Sequence, residues 1–324
     1  MRLLGASSLN GLLFIYTSRN KRFSVRITHM PWYLYSILTS LCFAGLVLCA
    51  RHLGNKGFSS KQILLFLLGF VLLGFIILNF GTLNTILEAD NLGNFLLIMA
   101  IAGIFSALGN WVNFTAVIKA PNPGFAGTIN STNILFITIF SVLIFGSSWS
   151  SIKLLGVLLV IAGIAALVIN KNHALGKETD KAFLKWDVLA FIGALSVTIA
   201  ILGVKGASQI GFSQSEINLF MFAVNFLAFS FLTRKEVGSY FQDKIKLKSF
   251  LPIVFLAAIF SFLGNILNVK GVAVSPNPGY HMAIQNTQIL ITTLISIPLF
   301  GIKFDKRKIL GVVIVLLGII ILVG

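Results

Sequence analysis

Eight carboxamides and one imidazole stand in stretches of this chain that are otherwise apolar: Asn110, Asn113, Asn130, Asn133, Asn265, Asn268, Gln285, Gln288 and His281. A carboxamide offers one acceptor and two donors and carries no charge. Its chemistry is hydrogen-bond recognition of a polar solute, not bond breaking. The residues come in matched pairs. Asn130, Asn133, Thr138 and Ser141 fall at i, i+3, i+8 and i+11, which is one helical face. A shift of 155 residues turns them into Gln285, Gln288, Thr293 and Ser296. Ser106, Asn110 and Asn113 share a second face and map onto Ser261, Asn265 and Asn268. Such groups can serve as glue between helices, contributing about 0.6 kcal/mol each in lipid. Glue needs only a few contacts, whereas seven matched polar residues per half favour a lined solute path. His281, whose repeat partner is Ala126, has two readings. It could titrate near neutral pH and couple the site to protons, or it could be wetted by the membrane interface near a helix end.

The elements that carry these residues follow from composition. Of 324 residues, 57% are hydrophobic and 10% charged, with mean hydropathy +0.95. A soluble domain has about 25% charged residues, so this chain cannot cover itself in water and has lipid as its solvent. The net charge of +16 does not indicate nucleic acid, because the basic residues cluster in gaps between apolar runs, where they meet anionic lipid heads. Spans of roughly 20 residues cross the hydrocarbon. Ten are predicted: 31–50, 62–80, 94–118, 123–145, 152–170, 186–207, 215–233, 249–273, 278–301 and 307–324. Backbone groups in lipid must be paired within the segment, so these are helices. Cys42 and Cys49, seven apart in one run, read as small buried hydrophobes with no disulfide framework.

The 155-residue shift lays 109–169 on 264–324 without a gap, with 25 of 61 positions identical. GFSSKQILLF at 57–66 meets GFSQSEINLF at 211–220 with a shift of 154. The predicted organisation is a basic tail at 1–30, a five-helix repeat at 31–170, a polar linker at 171–185 and a second repeat at 186–324. The tail reads equally as a disordered segment, a targeting segment or a consequence of translation starting at Met30. Five is odd, so the second repeat enters the membrane from the opposite face. The fold class is therefore an all-α integral membrane protein of ten transmembrane helices in two inverted five-helix repeats. Secondary transporters recurrently use this architecture, with the solute site near the midplane between the repeats. Both repeats also carry PNPG, at Pro121, Asn122, Pro123 and Gly124 and at Pro276, Asn277, Pro278 and Gly279. Asn is a favoured N-cap and Pro a favoured first helical residue. Each PNPG is expected to end one helix and start the next, as a turn or a hinge.

Halves of five spans, each ending in a long helix, an FG turn at Phe145-Gly146 or Phe300-Gly301, and a KxxG helix at Lys153 or Lys308, resemble the drug/metabolite transporter superfamily in its ten-span EamA-like branch. The resemblance covers about residues 31–324 and implies a permease for a small molecule. Many members carry an acidic residue just after the fourth helix of a half. Here those turns read FGSSWSSIK and FGIKFDKRK, with Asp305 the only acid. None of the nine acidic residues lies mid-span. The small multidrug relatives use a carboxylate in their first helix to exchange protons for cations, and that chemistry is absent here. The expected solute is therefore neutral or zwitterionic with several hydrogen-bonding groups. A translocase for a lipid or lipid-linked sugar is the alternative.

No phosphate-binding loop, paired carboxylates, metal-ligand cluster or nucleophile set stands at membrane depth, so neither an enzyme nor a cofactor is expected. The expected partners are a small-molecule substrate and membrane lipids, with no nucleic acid; a homodimer is also compatible. The expected location is the plasma membrane. Seventeen Lys and Arg occupy the gaps after spans 1, 3, 5, 7 and 9, against eight on the other face, five of them in the tail. The positive-inside rule puts the seventeen in the cytoplasm and both termini outside. The family resemblance implies both termini inside.

Overall fold

In a computed structural model, residues 30–119, 127, 129–168, 186–241, 244–300 and 306–324 are described. We label the helices α1 (Trp32–Asn55), α2 (Ser60–Asn79), α3 (Leu83–Leu87), α4 (Leu92–Lys119), α5 (Asn133–Phe145), α6 (Ser151–Val168), α7 (Trp186–Gln209), α8 (Gln214–Thr233), α9 (Lys244–Val274), α10 (Pro278–Gln285), α11 (Gln288–Phe300) and α12 (Lys306–Val323). Among the described residues, six stretches are long and apolar enough to cross a membrane: Trp32–Asn55, Ser60–Thr82, Leu92–Ala116, Trp186–Gln209, Gln214–Thr233 and Leu247–Val274. Asn133–Phe145, Ser151–Ala166 and Ile309–Val323 are shorter apolar helices. Outward faces carry Leu97, Ile104, Leu143, Ile152, Leu227 and Phe231, all more than half exposed. Ser36, Thr39, Ser40, Asn133, Asn218 and His281 are buried. This inside-out distribution is what a lipid solvent selects.

The repeats start their second helices alike. Gly57 (φ +85°) and Gly211 (φ +99°) make left-handed turns, which glycine adopts without a steric penalty. Ser59 then accepts from Gln62 N, and its partner Ser213 closes a capping box with Glu216. At the start of α2, Lys61 Nζ donates to Glu236 Oε1 at 2.5 Å, and Tyr240 donates to Glu236 Oε2 at 2.9 Å, both Glu236 and Tyr240 following the end of α8. The Lys61 hydrogen bond, then that of Tyr240, holds the Glu236 carboxyl below the usual carboxylate range.

Close contacts repeat with the same symmetry. A Cβ on Gly109 of α4 would meet Ser196 and Val197 of α7. A Cβ on Gly264 of α9, the partner of Gly109, would meet Cys42 and Phe43 of α1. α4 thus packs on α7 as α9 packs on α1. The last helices of the two repeats, α6 and α12, pack on each other. A Cβ on Gly163 would lie 2.7 Å from Val315 N and 2.8 Å from Gly311 O, and one on Gly318 would lie 2.8 Å from Gly156 O. Gly156 and Gly163 correspond to Gly311 and Gly318, so each glycine faces the partner of the other. Such self-complementary contacts are the signature of a two-fold relation, here an internal one between inverted repeats.

Spans 4 and 9 were expected to be continuous, at 123–145 and 278–301. The structure breaks both. Span 9 is α10 followed by α11, with Asn286-Thr287 between them. In span 4, Ile129 and Asn130 are helical, Ser131-Thr132 form a turn, and α5 begins at Asn133. The breaks coincide under the 155-residue shift. Thr132 and Thr287 are repeat partners, and each donates both its N–H and its hydroxyl to the carbonyl three residues back. The bonds run to Ile129 O at 3.1 and 2.7 Å and to Ile284 O at 3.1 and 2.7 Å. Threonine hydroxyls that take over a carbonyl tighten the turn to i→i+3 and interrupt the α ladder.

The second PNPG behaves as expected. Asn277 caps α10, accepting from Gly279 N at 2.8 Å, with Pro278 at the first helical position. Its amide also donates to Thr138 O at 3.2 Å and Ser148 O at 3.3 Å. Pro276 O accepts from Ser148 N at 3.1 Å. The turn is therefore a joint between repeats as well as a cap. Asn277→Ala should destabilise the protein by about 1–2 kcal/mol, measured as a fall in the thermal unfolding midpoint in detergent. Pro121, Asn122, Pro123 and Gly124 of the first PNPG lie outside the described residues, as do the side chains of Thr293 and Ser296.

Candidate functional site

Four of the polar residues, Asn130, Asn133, Gln285 and Gln288, flank the breaks of two helices that pack on each other. α10 packs on α5, so closely that a Cβ on Gly279 would fall 1.9 Å from Thr138 Oγ1 and 2.7 Å from Thr138 Cα. On the other side of the breaks, a Cβ on Gly127 would touch Ile289 Cδ1 at 3.9 Å. Asn130 and Asn133 flank the first break, and Gln285 and Gln288 flank the second. α1 packs along both α10 and α11, and α7 packs on α5. Asn113 of α4 lies against the α7 backbone, where a Cβ on Gly193 would collide with its amide at 1.8 Å.

Hydrogen bonding sorts these residues into two sets. Among the described residues, the buried amide oxygens of Asn113, Asn130, Asn133, Gln285 and Gln288 have no hydrogen-bond partner from the protein. Each such buried acceptor costs about 1–3 kcal/mol while unpaired. Asn110 and Asn265 are engaged instead. Asn110 Nδ2 donates to Asn225 Oδ1 of α8 at 3.4 Å. Asn265 Nδ2 donates to Ser261 O at 2.8 Å and Ser261 Oγ at 3.3 Å, while Asn265 O accepts from Asn218 Nδ2 at 3.3 Å. Asn110 reads as helix glue, and the Asn265 amide is satisfied within its own helix. Thr138 and Ser141 likewise return their hydroxyls to Ile134 O and Ile137 O of their own helix, at 2.7 and 2.5 Å.

His281 is fully buried, which removes the reading of a histidine wetted at the interface. Its Nδ1 meets Ser36 Oγ at 2.7 Å and its Nε2 meets Asn268 Oδ1 at 2.9 Å. Beside it, Ser40 Oγ lies 2.9 Å from Thr287 Oγ1. The Thr287 hydroxyl donates to Ile284 O, so Ser40 is the donor in that pair. Lys205, near the end of α7, is buried and donates to Val272 O at 3.3 Å and Ala273 O at 2.9 Å, satisfying carbonyls at the C-terminus of α9.

Sequence reasoning missed two contributors. Ser36, Thr39 and Ser40 on α1 are fully buried, and Asn218 and Asn225 on α8 are buried. Their spacing was a usable signal: i, i+3, i+4 in one case and two helical turns in the other. Two clefts open elsewhere. One of about 180 Å³ is lined by residues including Lys61, Trp111 and Phe114. The other, about 590 Å³, lies between α2 and α8, is lined mainly by apolar residues such as Phe66, Phe70 and Phe226, and has Arg234 in its wall. Neither is lined by the amide row, whose side chains pack closely in this conformation. Among the described residues no group of His, Cys, Asp and Glu is placed to hold a metal ion.

Paired broken helices inside inverted five-helix repeats define a polytopic membrane protein of the transporter class. The model of the EamA-like transporter family matches residues 30–169 and again 184–324, and the chain belongs to that family. A search of the curated proteins returns no match. A solved structure described only as "Crystal structure of protein" superposes at TM-score 0.65 with 16% identity, covering 90% of this chain and 95% of that one. That likeness is one of fold.

Proposed function

We propose that the protein is a secondary carrier in the cell membrane for a small polar metabolite, neutral or zwitterionic. The repeats rock around a midplane site at the crossing of the two broken helices. The observation that carries this reading is that the four amides flanking the two helix breaks, Asn130, Asn133, Gln285 and Gln288, all have buried oxygens without protein partners. The oxygens of these four can accept from the N–H and O–H groups of a bound solute. Broken helices at midplane are where such carriers place their solutes. The lining is uncharged, which suits a solute that enters without a counter-charge. No step of bond chemistry is required.

A thermal-shift screen in detergent tests this. Amino acids, nucleosides, sugars, polyamines, organic cations and lipid-linked sugars are the panel. A solute at 100 times its dissociation constant should add about 2.7 kcal/mol of stability, read as a rise in the unfolding midpoint. The expected hit is a neutral or zwitterionic solute rich in N–H and O–H donors. A response confined to organic cations, or to lipid-linked sugars, would overturn the proposal.

A further inference from the structure

The two repeats differ most sharply where His281 sits. Trp32 and Gly57 bracket the first helix of repeat one, and Trp186 and Gly211 bracket that of repeat two, with a common shift of 154. On this alignment Ser36 corresponds to Ala190 and Ser40 to Ala194. By the 155 shift His281 corresponds to Ala126 and Gly271 to Ala116. Four positions thus change together. The missing Cβ at Gly271 makes room for the ring, since a Cβ there would lie 2.2 Å from His281 Cε1. Ser36 and Asn268 then receive its two nitrogens. In repeat one the counterpart of Asn268 is Asn113, whose oxygen is unpartnered. So α1 of repeat one is bolted to α9 and α10 of repeat two by a polar clasp, Ser36–His281–Asn268 with Ser40–Thr287. The pseudo-symmetric pairing of α7 with span 4 has alanines at the positions of Ser36, Ser40 and His281.

The clasp lies toward the face shared by the starts of α1 and α10, as does the Asn277–Ser148 joint. α10 is packed by α1, α5, α6, α7, α9 and α12. Their titratable and charged residues toward that face are Tyr35 on α1, Lys153 on α6, Lys205 on α7 and Lys270 on α9, with Tyr280 on α10 itself. α5 has none, and the basic residues of α12 begin at the opposite face. No carboxylate is among them, and Asp187 opens α7 at the far face. A neutral ring satisfies the closed clasp: Nε2–H donates to Asn268, and Nδ1 accepts the Ser36 hydroxyl at 2.7 Å in preference to its longer contact with Trp32 O at 3.2 Å. A protonated ring would be a buried charge with no acidic partner and three lysines toward the same face, an expensive arrangement.

Resting on the carrier reading above, we propose that the His281 clasp is a proton-operated latch. It holds α1 closed against the corner formed by the end of α9 and the start of α10 while the ring is neutral, and releases when the ring takes up a proton. The sign follows from which state can carry the charge. The opened, hydrated form binds the proton more readily than the closed form. Closure is therefore favoured at high pH, and acidification through the ordinary histidine range, about 6.5, shifts the population toward opening.

Spin labels at Leu34→Cys on α1 and Val274→Cys at the end of α9, with Cys42 and Cys49 replaced by alanine, report the separation by pulsed electron resonance in proteoliposomes. Spectra are taken at about pH 7.5 and about pH 5.5, either side of that range. The expected result is a longer-distance population that grows several-fold on acidification. In His281→Gln, which keeps a polar side chain and cannot titrate, distances should be the same at both pH values. An unchanged distribution with His281 in place, or acid-induced opening that persists in His281→Gln, overturns the latch. If His281→Gln does not fold, Ser36→Ala serves, and it should show the longer distance already at the higher pH. No solute is needed, so a failed latch leaves the carrier reading to be judged by the thermal-shift screen alone.

Discussion

Leucine at Gly163 is expected to force α6 and α12 apart and lower stability by at least about 1–3 kcal/mol, the usual range for overpacking. The contact leaves no slack. The first added carbon already lies 2.7 Å from Val315 N and 2.8 Å from Gly311 O, which are backbone atoms and cannot turn aside as a side chain would. Small residues at such seams let helix backbones approach in lipid, where no hydrophobic force holds helices together. Leucine gains roughly 1 kcal/mol over glycine in helix propensity, and the clash must outweigh it. Gly318→Leu, at the corresponding position, should behave alike. The check is the unfolding midpoint of both variants in one detergent. An unchanged midpoint would mean that the seam relaxes and does not fix the relation of the repeats.

Asn133→Leu and Gln288→Leu carry the second large effect, and here stability and activity should move in opposite directions. Asn133 is 2% exposed, and the oxygens of both amides lack a protein partner. Replacing an unpaired buried amide by an apolar side chain of similar size removes a standing penalty of about 1–3 kcal/mol. The folded yield should hold or rise. Solute binding should fall roughly 10- to 100-fold, the same energy range expressed as affinity. Calorimetric titration with the solute found by the thermal-shift screen measures it. If the midpoint drops by several degrees and binding persists, these amides are helix glue and the site lies elsewhere. Asn110→Leu is the contrast. Its amide is engaged by Asn225, so stability should be what it loses.

The sequence by itself determined the solvent, the spans and the symmetry. Apolar runs separated by basic gaps admit only helices in lipid, and an odd number of spans per repeat requires inversion. The PNPG turns stood at a fixed shift, so the Asn277 cap follows from local chemistry. The polar faces were also legible, because helical periodicity places Asn130 with Asn133 and Gln285 with Gln288 whatever the packing.

Only the tertiary structure decided which polar residues are paired. Asn110 and Asn113 share a face and a residue type, yet one meets Asn225 and the other lies on Gly193 with its amide oxygen unpartnered. That difference is set by what the neighbouring helix presents, which periodicity cannot express. The two helix breaks were hidden for a related reason. Thr132 and Thr287 are compatible with an unbroken helix until their hydroxyls settle on Ile129 O and Ile284 O, and crossing helices favour that choice. His281 was the clearest case: a position three residues into a helix suggested a wetted end. Its burial depends on α1 and α9 closing over it, Ser36 from 245 residues away in the chain and Gly271 by lacking a single carbon.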